Sequence, residues 1–301
     1  MNNLAPVILF VYNRLDETRS TIDALKSNFL AKESTLYIFS DATKKNTSDT
    51  NVLRVRKYIK TIDGFKNVVI IERDENFGLA KSIIEGVSEI IKKFGKVIVL
   101  EDDLVTSKNF LCYMNQSLVA YKDREDIFSI SGYTGALPSL KKYNSSTYLS
   151  YRPSSWGWAT WVDQWKNIDW DIKDYDKFIE NREETKKFNR GGVDMTRMLK
   201  HYKEGKNRSW AIRWAYAMYR ENKLCIYPSI SKIQNIGFGK NATHCVGINI
   251  YKTTLDLTSL CDFEFSQEKE PNTQLVKEFK YQYSYTNKLI KKSLNFFVSN
   301  R

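Results

Sequence analysis

Proline and glycine are scarce in this sequence, cysteine is sparse and scattered, and long apolar runs are absent. Five prolines and thirteen glycines in 301 residues exclude a collagen-like or Pro-rich scaffold. Cys112, Cys225, Cys245 and Cys261 stand far apart with no Cys-x-x-Cys pair. That spacing argues against structural zinc and predicts reduced thiols in a cytosolic protein. No stretch reaches the roughly 18 apolar residues of a membrane span. The opening Met1-Asn2-Asn3-Leu4-Ala5-Pro6 lacks the basic start and small-residue cleavage site of a secretory signal, so a cytoplasmic location is expected. What is present excludes disorder: 42% of residues are hydrophobic and 14% aromatic, enough to offset ordering entropy. The length suits one large domain or two packed lobes. A formal charge of +12 asks for an anionic partner, whether nucleic acid, an anionic membrane surface or a phosphorylated small molecule.

The first 130 residues alternate apolar runs with helical periodicity. Val7–Val11, Leu36–Phe39, Val68–Ile71 and Val97–Leu100 are short continuous runs of the kind buried on both faces of a sheet. Between them, Ile22, Leu25 and Phe29, then Val52, Val55 and Ile59, then Ile83, Ile84, Val87, Ile90, Ile91 and Phe94 recur at helical spacing. Phe110, Leu111, Met114 and Leu118 mark a fourth helix. The alternation predicts an α/β fold with a mostly parallel, Rossmann-like sheet. After about residue 135 the pattern becomes irregular, and all seven tryptophans lie between Trp156 and Trp214. Strands near 147–151 and 224–227 and a helix over 209–221 are expected there. The chain divides on this reading into 1–135, 136–250 and a Lys-rich tail, 251–301, with a helix near 273–295.

Ligands of open α/β sheets bind at the carboxyl ends of the strands. Tyr12-Asn13-Arg14 follows the first strand, Ser40-Asp41 the second, Asn76-Phe77-Gly78-Leu79-Ala80-Lys81 the third, and Glu101-Asp102-Asp103 the fourth. Three adjacent carboxylates need a compensating cation, and hard oxygen ligands suit Mg²⁺ or Mn²⁺ shared with substrate phosphates. A solvated acidic turn is the bland alternative, disfavoured by its position after a buried strand. Gly78 at a helix start offers backbone N–H groups to an anion or merely begins the helix. Arg14 pairs with phosphate or decorates the first helix, and Asp41 holds a base or ribose or caps a loop.

In this order, strand-Asn-Arg, strand-Ser-Asp, Asn-x-Gly-Leu-Ala and Val-Leu-Glu-Asp-Asp-Leu resemble the GT-A-fold glycosyltransferases. Glu101-Asp102-Asp103 has the form that the DXD metal motif takes in the Golgi N-acetylglucosaminyltransferase that initiates complex N-glycans. Trp156-Gly157-Trp158 stands where that enzyme has its Gly-Trp acceptor loop. Cys225 to Ser231, then Gly237-Phe238-Gly239 and Thr243-His244, resemble its closing segment. The likeness covers roughly residues 5–245 and extends to bacterial polysaccharide and O-antigen transferases. It implies metal-dependent transfer of a hexosyl or N-acetylhexosaminyl group from a nucleotide sugar, a UDP-sugar first, to a saccharide acceptor. Asp103 and His244 would hold Mn²⁺ or Mg²⁺. Glu101 and Asp102 would meet the donor sugar or ribose. Tyr12, Asn13, Arg14, Asp41, Asn76, Gly78 and Lys81 would line the nucleotide and diphosphate. Trp156, Gly157, Trp158 and Trp210 would bind the acceptor.

Inverting enzymes of this fold need a carboxylate base near the acceptor, usually at a helix start. The matching stretch, Trp210-Ala211-Ile212-Arg213-Trp214, has no acid. Asp194 is the nearest upstream candidate, with a helix N-cap over 195–203 as its plain alternative; a retaining mechanism would need no base. A nucleic-acid-binding protein would need a basic stripe, whereas the lysines here are dispersed. A sugar nucleotidyltransferase would need a Gly-rich loop where Tyr12-Asn13-Arg14-Leu15 stands, and a non-catalytic carbohydrate module would not need the acidic triplet. The tail mixes Leu275, Val276, Phe279, Leu289, Ile290, Leu294, Phe296 and Phe297 with Lys277, Lys280, Lys288, Lys291 and Lys292. Such a helix either lies on an anionic membrane beside a lipid-linked acceptor or packs on the domain.

Overall fold

A computed structural model describes residues 4–238, 251, 253–284, 286, 287 and 289. From the amino end run β1 (Val7–Val11), α1 (Leu15–Lys26), β2 (Thr35–Ser40), α2 (Thr50–Ile59), β3 (Asn67–Glu72), α3 (Gly78–Phe94) and β4 (Lys96–Glu101). A short β5 (Leu104–Thr106), α4 (Phe110–Ala120), β6 (Ile127–Ser131), β7 (Thr147–Ser150) and β8 (Trp158–Trp161) follow. Five helices come next: α5 (Val162–Trp165), α6 (Tyr175–Glu180), α7 (Arg182–Phe188), α8 (Met195–Lys203) and α9 (Trp210–Arg220). The described elements end with β9 (Leu224–Pro228), β10 (Ile233–Asn235) and α10 (Thr273–Gln282).

Eight strands form one sheet in the order β3-β2-β1-β4-β8-β6-β9-β7. The first four are mutually parallel, β6 and β9 run with them, and only β8 and β7 run against them. The α/β, mostly parallel fold expected from the alternation is therefore present. β1 shows why its run is apolar throughout. Val7, Leu9 and Val11 join one core with Ile22 and Leu25 of α1, Val55 of α2 and Leu111 of α4. Ile8 and Phe10, on the opposite face, join a second core with Ile83, Val87 and Ile90 of α3. A strand covered by helices on both sides has no polar face to show. Two ends of the expected stripes miss the core: α1 stops at Lys26 and Phe29 is exposed, as is Phe94 at the end of α3.

The second half extends the same sheet through β7, β8 and β9, while its β10 pairs with β5 in a separate two-stranded sheet. β6 and β8 escape the sequence reading because Ile127-Phe128-Ser129-Ile130-Ser131 buries its serines and Trp158-Ala159-Thr160-Trp161 sits in an aromatic cluster. The expectation of four reduced cysteines is corrected: Cys112 on α4 is disulfide-bonded to Cys261, with Cα atoms 5.7 Å apart. A pairing across 149 residues leaves no mark in local spacing, so the compartment argument drawn from spacing lapses. The bridge belongs to a wider fastening of the segment 253–271 onto α4. Asn109 Nδ2 donates to the Leu260 carbonyl at 2.8 Å, Gln116 Nε2 to that of Cys261 at 2.6 Å, and Tyr121 Oη to that of Ser266 at 3.1 Å.

In α10, Leu275 and Phe279 are buried against the second core. The apolar side of that helix is thus used in packing, which settles residues 273–282 in favour of the packing alternative. The lysine-rich remainder, including Lys288, Lys291 and Lys292, lies outside the described residues, as does His244. Among the described residues no helix is long and apolar enough to cross a membrane.

Candidate active site

The parallel register sets Phe10 beside Glu101 and Val11 beside Ser40, so the ends of β1, β2 and β4 open at one edge. Tyr12-Asn13-Arg14, Asp41 and Glu101-Asp102-Asp103 emerge there together. A fourth piece comes from the distant β10, which pairs antiparallel with β5 (Asn235 with Leu104) and delivers Asn235, Ile236 and Gly237 to the same corner.

Arg14 is the hub. Its Nη1 stands 2.9 Å from Asp103 Oδ2 and 4.0 Å from Asp102 Oδ1, and its Nη2 stands 3.2 Å from Glu17 Oε1. The Asp103 Oδ1 accepts from Asn235 Nδ2 at 3.3 Å, and its carbonyl accepts from the Ile236 N–H at 2.9 Å. The Gly237 N–H in turn donates to Asn235 Oδ1 at 2.8 Å. Burial pushes all three carboxyls of the triplet up, Glu101 well above its ordinary value and Asp102 to about 7. Repulsion from Asp103 adds to the rise of Glu101 and Asp102, Glu17 adds to that of Asp103, and the Arg14 guanidinium opposes all three. Gly237 has no room for a side chain: a Cβ there would lie 1.9 Å from Asp103 Oδ2 and 3.0 Å from Arg14 Nη1.

The corner can be tested for a divalent cation on this geometry. Among the described residues no three His, Cys, Asp or Glu side chains group to hold a metal by themselves. Yet oxygens of Asp103 and Asp102 converge on one cationic nitrogen, Arg14 Nη1. Hard carboxylate oxygens, one or two in number, with the remaining positions left to phosphate and water, are what Mg²⁺ and Mn²⁺ take. The donor set fits.

Other expected contacts are placed differently. Asp41 is buried, and its carboxylate accepts from the N–H groups of Phe77 and Gly78, both at 2.9 Å, and from Asn76 Nδ2 at 3.1 Å. The start of α3, expected to receive a ligand anion, already holds the protein's own. Its exposed amides and partial positive charge draw in the nearest carboxylate, and Gly78, at φ +70°, makes the sharp entry. Asn76 also donates to the Ala42 carbonyl at 2.7 Å. These three residues tie the chain after β2 to the start of α3, and the Asp41 carboxylate is engaged there. Asn13 Nδ2 donates to Asp49 Oδ2 at 2.7 Å, and Lys81 Nζ lies 3.9 Å from the Phe77 ring centroid and 3.8 Å from Glu85 Oε1. Burial, with Asp49 nearby, pushes the Tyr12 hydroxyl up.

The tryptophans divide into two groups. Trp158 and Trp210, expected to touch the acceptor, are 1% and 3% exposed. Trp158 lies 5.5 Å from Trp165, 5.5 Å from Trp210 and 4.4 Å from Trp214, ring centroid to centroid. Both belong to the core on the α3 side, enclosed with Trp165 and Trp214, so a sugar cannot reach them. Trp156 is half-buried and sits among Tyr133 (4.7 Å), Phe238 (6.0 Å) and Tyr251 (6.0 Å). Since Phe238 follows Gly237, this cluster adjoins the acidic corner. Gly157 packs against Ile233, where a Cβ would come within 2.7 Å.

Asp194 stands at the N-cap position of α8 but makes no side-chain cap bond; its Oδ1 is 2.7 Å from Arg152 Nη1. Arg152 also lies 4.0 Å from the Tyr283 ring centroid. Sequence reading missed Glu17 and Asn235, which complete the corner. Glu17 carries a weak signal at three residues after Arg14; Asn235 carries none, because only the β5–β10 pairing brings it there.

No family model matches the sequence, and no curated protein matches it. Several solved structures resemble the fold. A mannosyltransferase from Pyrobaculum calidifontis, in complex with GDP-Man and Mn²⁺, is 10% identical at a TM-score of 0.42, over 72% of this chain and 68% of that one. Residues 1–349 of S. aureus TarS are 13% identical at 0.41, over 76% of this chain and 59% of that one. The galactosyltransferase LgtC, in complex with donor and acceptor sugar analogs, is 12% identical at 0.36, over 71% and 70%. Likenesses at this level stand as observations, and the residues at the acidic corner carry the functional reading.

Proposed function

We propose that this chain is a glycosyltransferase that moves a sugar from a nucleoside-diphosphate sugar, a UDP-sugar first, to a saccharide hydroxyl. The observation that supports it best is the convergence of Asp103 and Asp102 on one cation position at the carboxyl edge of the sheet, beside a loop bearing Arg14. Asp103 would hold Mn²⁺ or Mg²⁺, with His244 as a further proposed ligand, and Asp102, expected at the donor sugar or ribose, would join them because its Oδ1 faces the same position. The cation would supply charge stabilisation for the leaving nucleoside diphosphate. Arg14 binds the diphosphate, Tyr12 and Asn13 border the nucleotide, and Glu101 faces the donor sugar. Asp41, Asn76 and Gly78 act on the nucleotide through the loop they hold, with Lys81 at its edge. Trp156 offers an aromatic face to the acceptor. The fold is the GT-A type on this reading, with 1–135 as donor half and 136–250 as acceptor half.

A thermal-shift series with UDP, GDP, CDP and dTDP, each with Mn²⁺ or EDTA, tests the reading. Stabilisation by one nucleotide that requires the metal is expected. No shift with any nucleotide, or shifts indifferent to EDTA, would overturn it.

Gly237→Ala is expected to displace the Asp103 carboxylate and lower turnover by about a hundredfold, the usual scale for a misplacement of about 1 Å. Near-normal turnover would show that Asp103 need not hold its observed position. Asp194 is the proposed base of an inverting transfer. Asp194→Asn should then reduce turnover by about two to four orders of magnitude with donor affinity unchanged. Lost stability with normal turnover would assign Asp194 to its pair with Arg152, and a retained anomeric configuration would remove the need for a base.

A lipid-linked acceptor at the inner face of a membrane is the proposed setting, as part of surface-polysaccharide synthesis in a bacterial cytoplasm. Because Leu275 and Phe279 are buried, contact would rest on lysines of the tail. Salt-sensitive sedimentation with anionic vesicles, lost on changing Lys288, Lys291 and Lys292 to Glu, is expected. Binding indifferent to salt, or unaltered in that variant, would refute the contact.

A further inference from the structure

We infer that Arg14 is a place-holder for the divalent cation: with no donor bound, its guanidinium fills the position between Asp103 and Asp102, and it leaves for the diphosphate when the donor arrives. The inference rests on the proposed transfer function and describes how that same site is controlled.

The geometry is specific. Arg14 Nη1 lies 2.9 Å from Asp103 Oδ2 and 4.0 Å from Asp102 Oδ1. A metal ion bonded to those oxygens and a guanidinium nitrogen cannot share that space. Like charges at such separations also repel strongly in a partly buried site. Metal and guanidinium therefore exclude each other at Asp103.

Arg14 has reason to leave when phosphate is offered. Of its donors, Nη1 meets Asp103 and Nη2 meets Glu17 at 3.2 Å, while Nε is buried without a hydrogen-bond partner. A diphosphate presents several anionic oxygens in a geometry that matches the guanidinium fork. The backbone need not move, because the Arg14 carbonyl accepts from the Thr18 N–H at 2.9 Å and from its hydroxyl at 2.6 Å. Only the side chain swings.

Metal and nucleotide binding are then coupled through one residue. Nucleotide draws Arg14 off Asp103 and opens the cation position, and by linkage the cation favours nucleotide equally. The protein alone takes up metal poorly, and the metal enters with the donor.

Two binding measurements on the whole chain test this. Mn²⁺ uptake is followed by EPR with no nucleotide present, and UDP binding by calorimetry in EDTA. Arg14→Gln is expected to bind Mn²⁺ about tenfold more tightly and UDP about tenfold more weakly, two shifts of opposite sign from removing one charge. Arg14→Lys keeps the charge and should exclude Mn²⁺ as the natural chain does, which separates the effect from a folding defect. Affinities that fall together in Arg14→Gln, or Mn²⁺ uptake that does not change, would overturn the inference. A natural chain that binds Mn²⁺ equally well with and without UDP would overturn it alone. No Mn²⁺ uptake by either protein, even with UDP, would remove the metal from the proposed function as well.

Discussion

Asp103→Ala is expected to lower sugar transfer by about two to three orders of magnitude or more, the scale seen when one electrostatic stabiliser of a leaving charge is removed. Mn²⁺ should no longer stimulate what remains. The fold should persist, because Asp103 lies just beyond the buried run of β4 and its carbonyl bond to the Ile236 N–H is a backbone bond that alanine keeps. Arg14 keeps Glu17 and Asp102 as partners, so no buried cation is stranded. Turnover measured from released nucleotide over a Mn²⁺ titration, beside a thermal melt, checks both halves. An active Asp103→Ala protein that still responds to Mn²⁺ would sink the metal assignment.

Trp158→Ala should cost about 3–5 kcal/mol of stability, as large-to-alanine changes do in well-packed cores. Trp158 is 1% exposed and packs on Trp165, Trp210 and Trp214, so alanine leaves a cavity that those rings cannot collapse to fill. Trp156→Ala should instead leave stability nearly unchanged and raise the acceptor KM, since Trp156 is half-buried at the cleft. Urea unfolding midpoints and acceptor saturation curves on the two variants check the contrast. A stable Trp158→Ala protein with a weakened acceptor would return that residue to the cleft.

The contrast shows where sequence reading reaches its limit. Tryptophans two residues apart look alike in the sequence, and a regular strand would turn both to one face; Trp156 instead precedes β8, and Gly157, at φ +60°, breaks the register between them. Strand β8 itself is not legible, because its four residues lie between two antiparallel neighbours that come from β4 and β6. Asp41 teaches the same lesson from the polar side. Its position after β2 is readable, but whether its carboxylate faces a ligand or the start of α3 depends on how the β3–α3 turn folds back, and Phe77 and Gly78 claim it.

By itself the sequence determined the alternation of β1 to β4 with α1 to α4, since continuous apolar runs, which burial on two faces enforces, and 3.6-residue apolar periods are both local properties. It also determined that Arg14, Asp41 and the acidic triplet share one edge, because parallel strands place all their carboxyl ends together. Tertiary structure alone decided the rest. It brought Asn235 and Gly237 onto Asp103 through the β5–β10 pairing, bridged Cys112 to Cys261 across 149 residues, and set Arg14 at the position where two carboxylates converge. Contacts between residues far apart in the chain follow from how whole elements pack, and no local pattern records them.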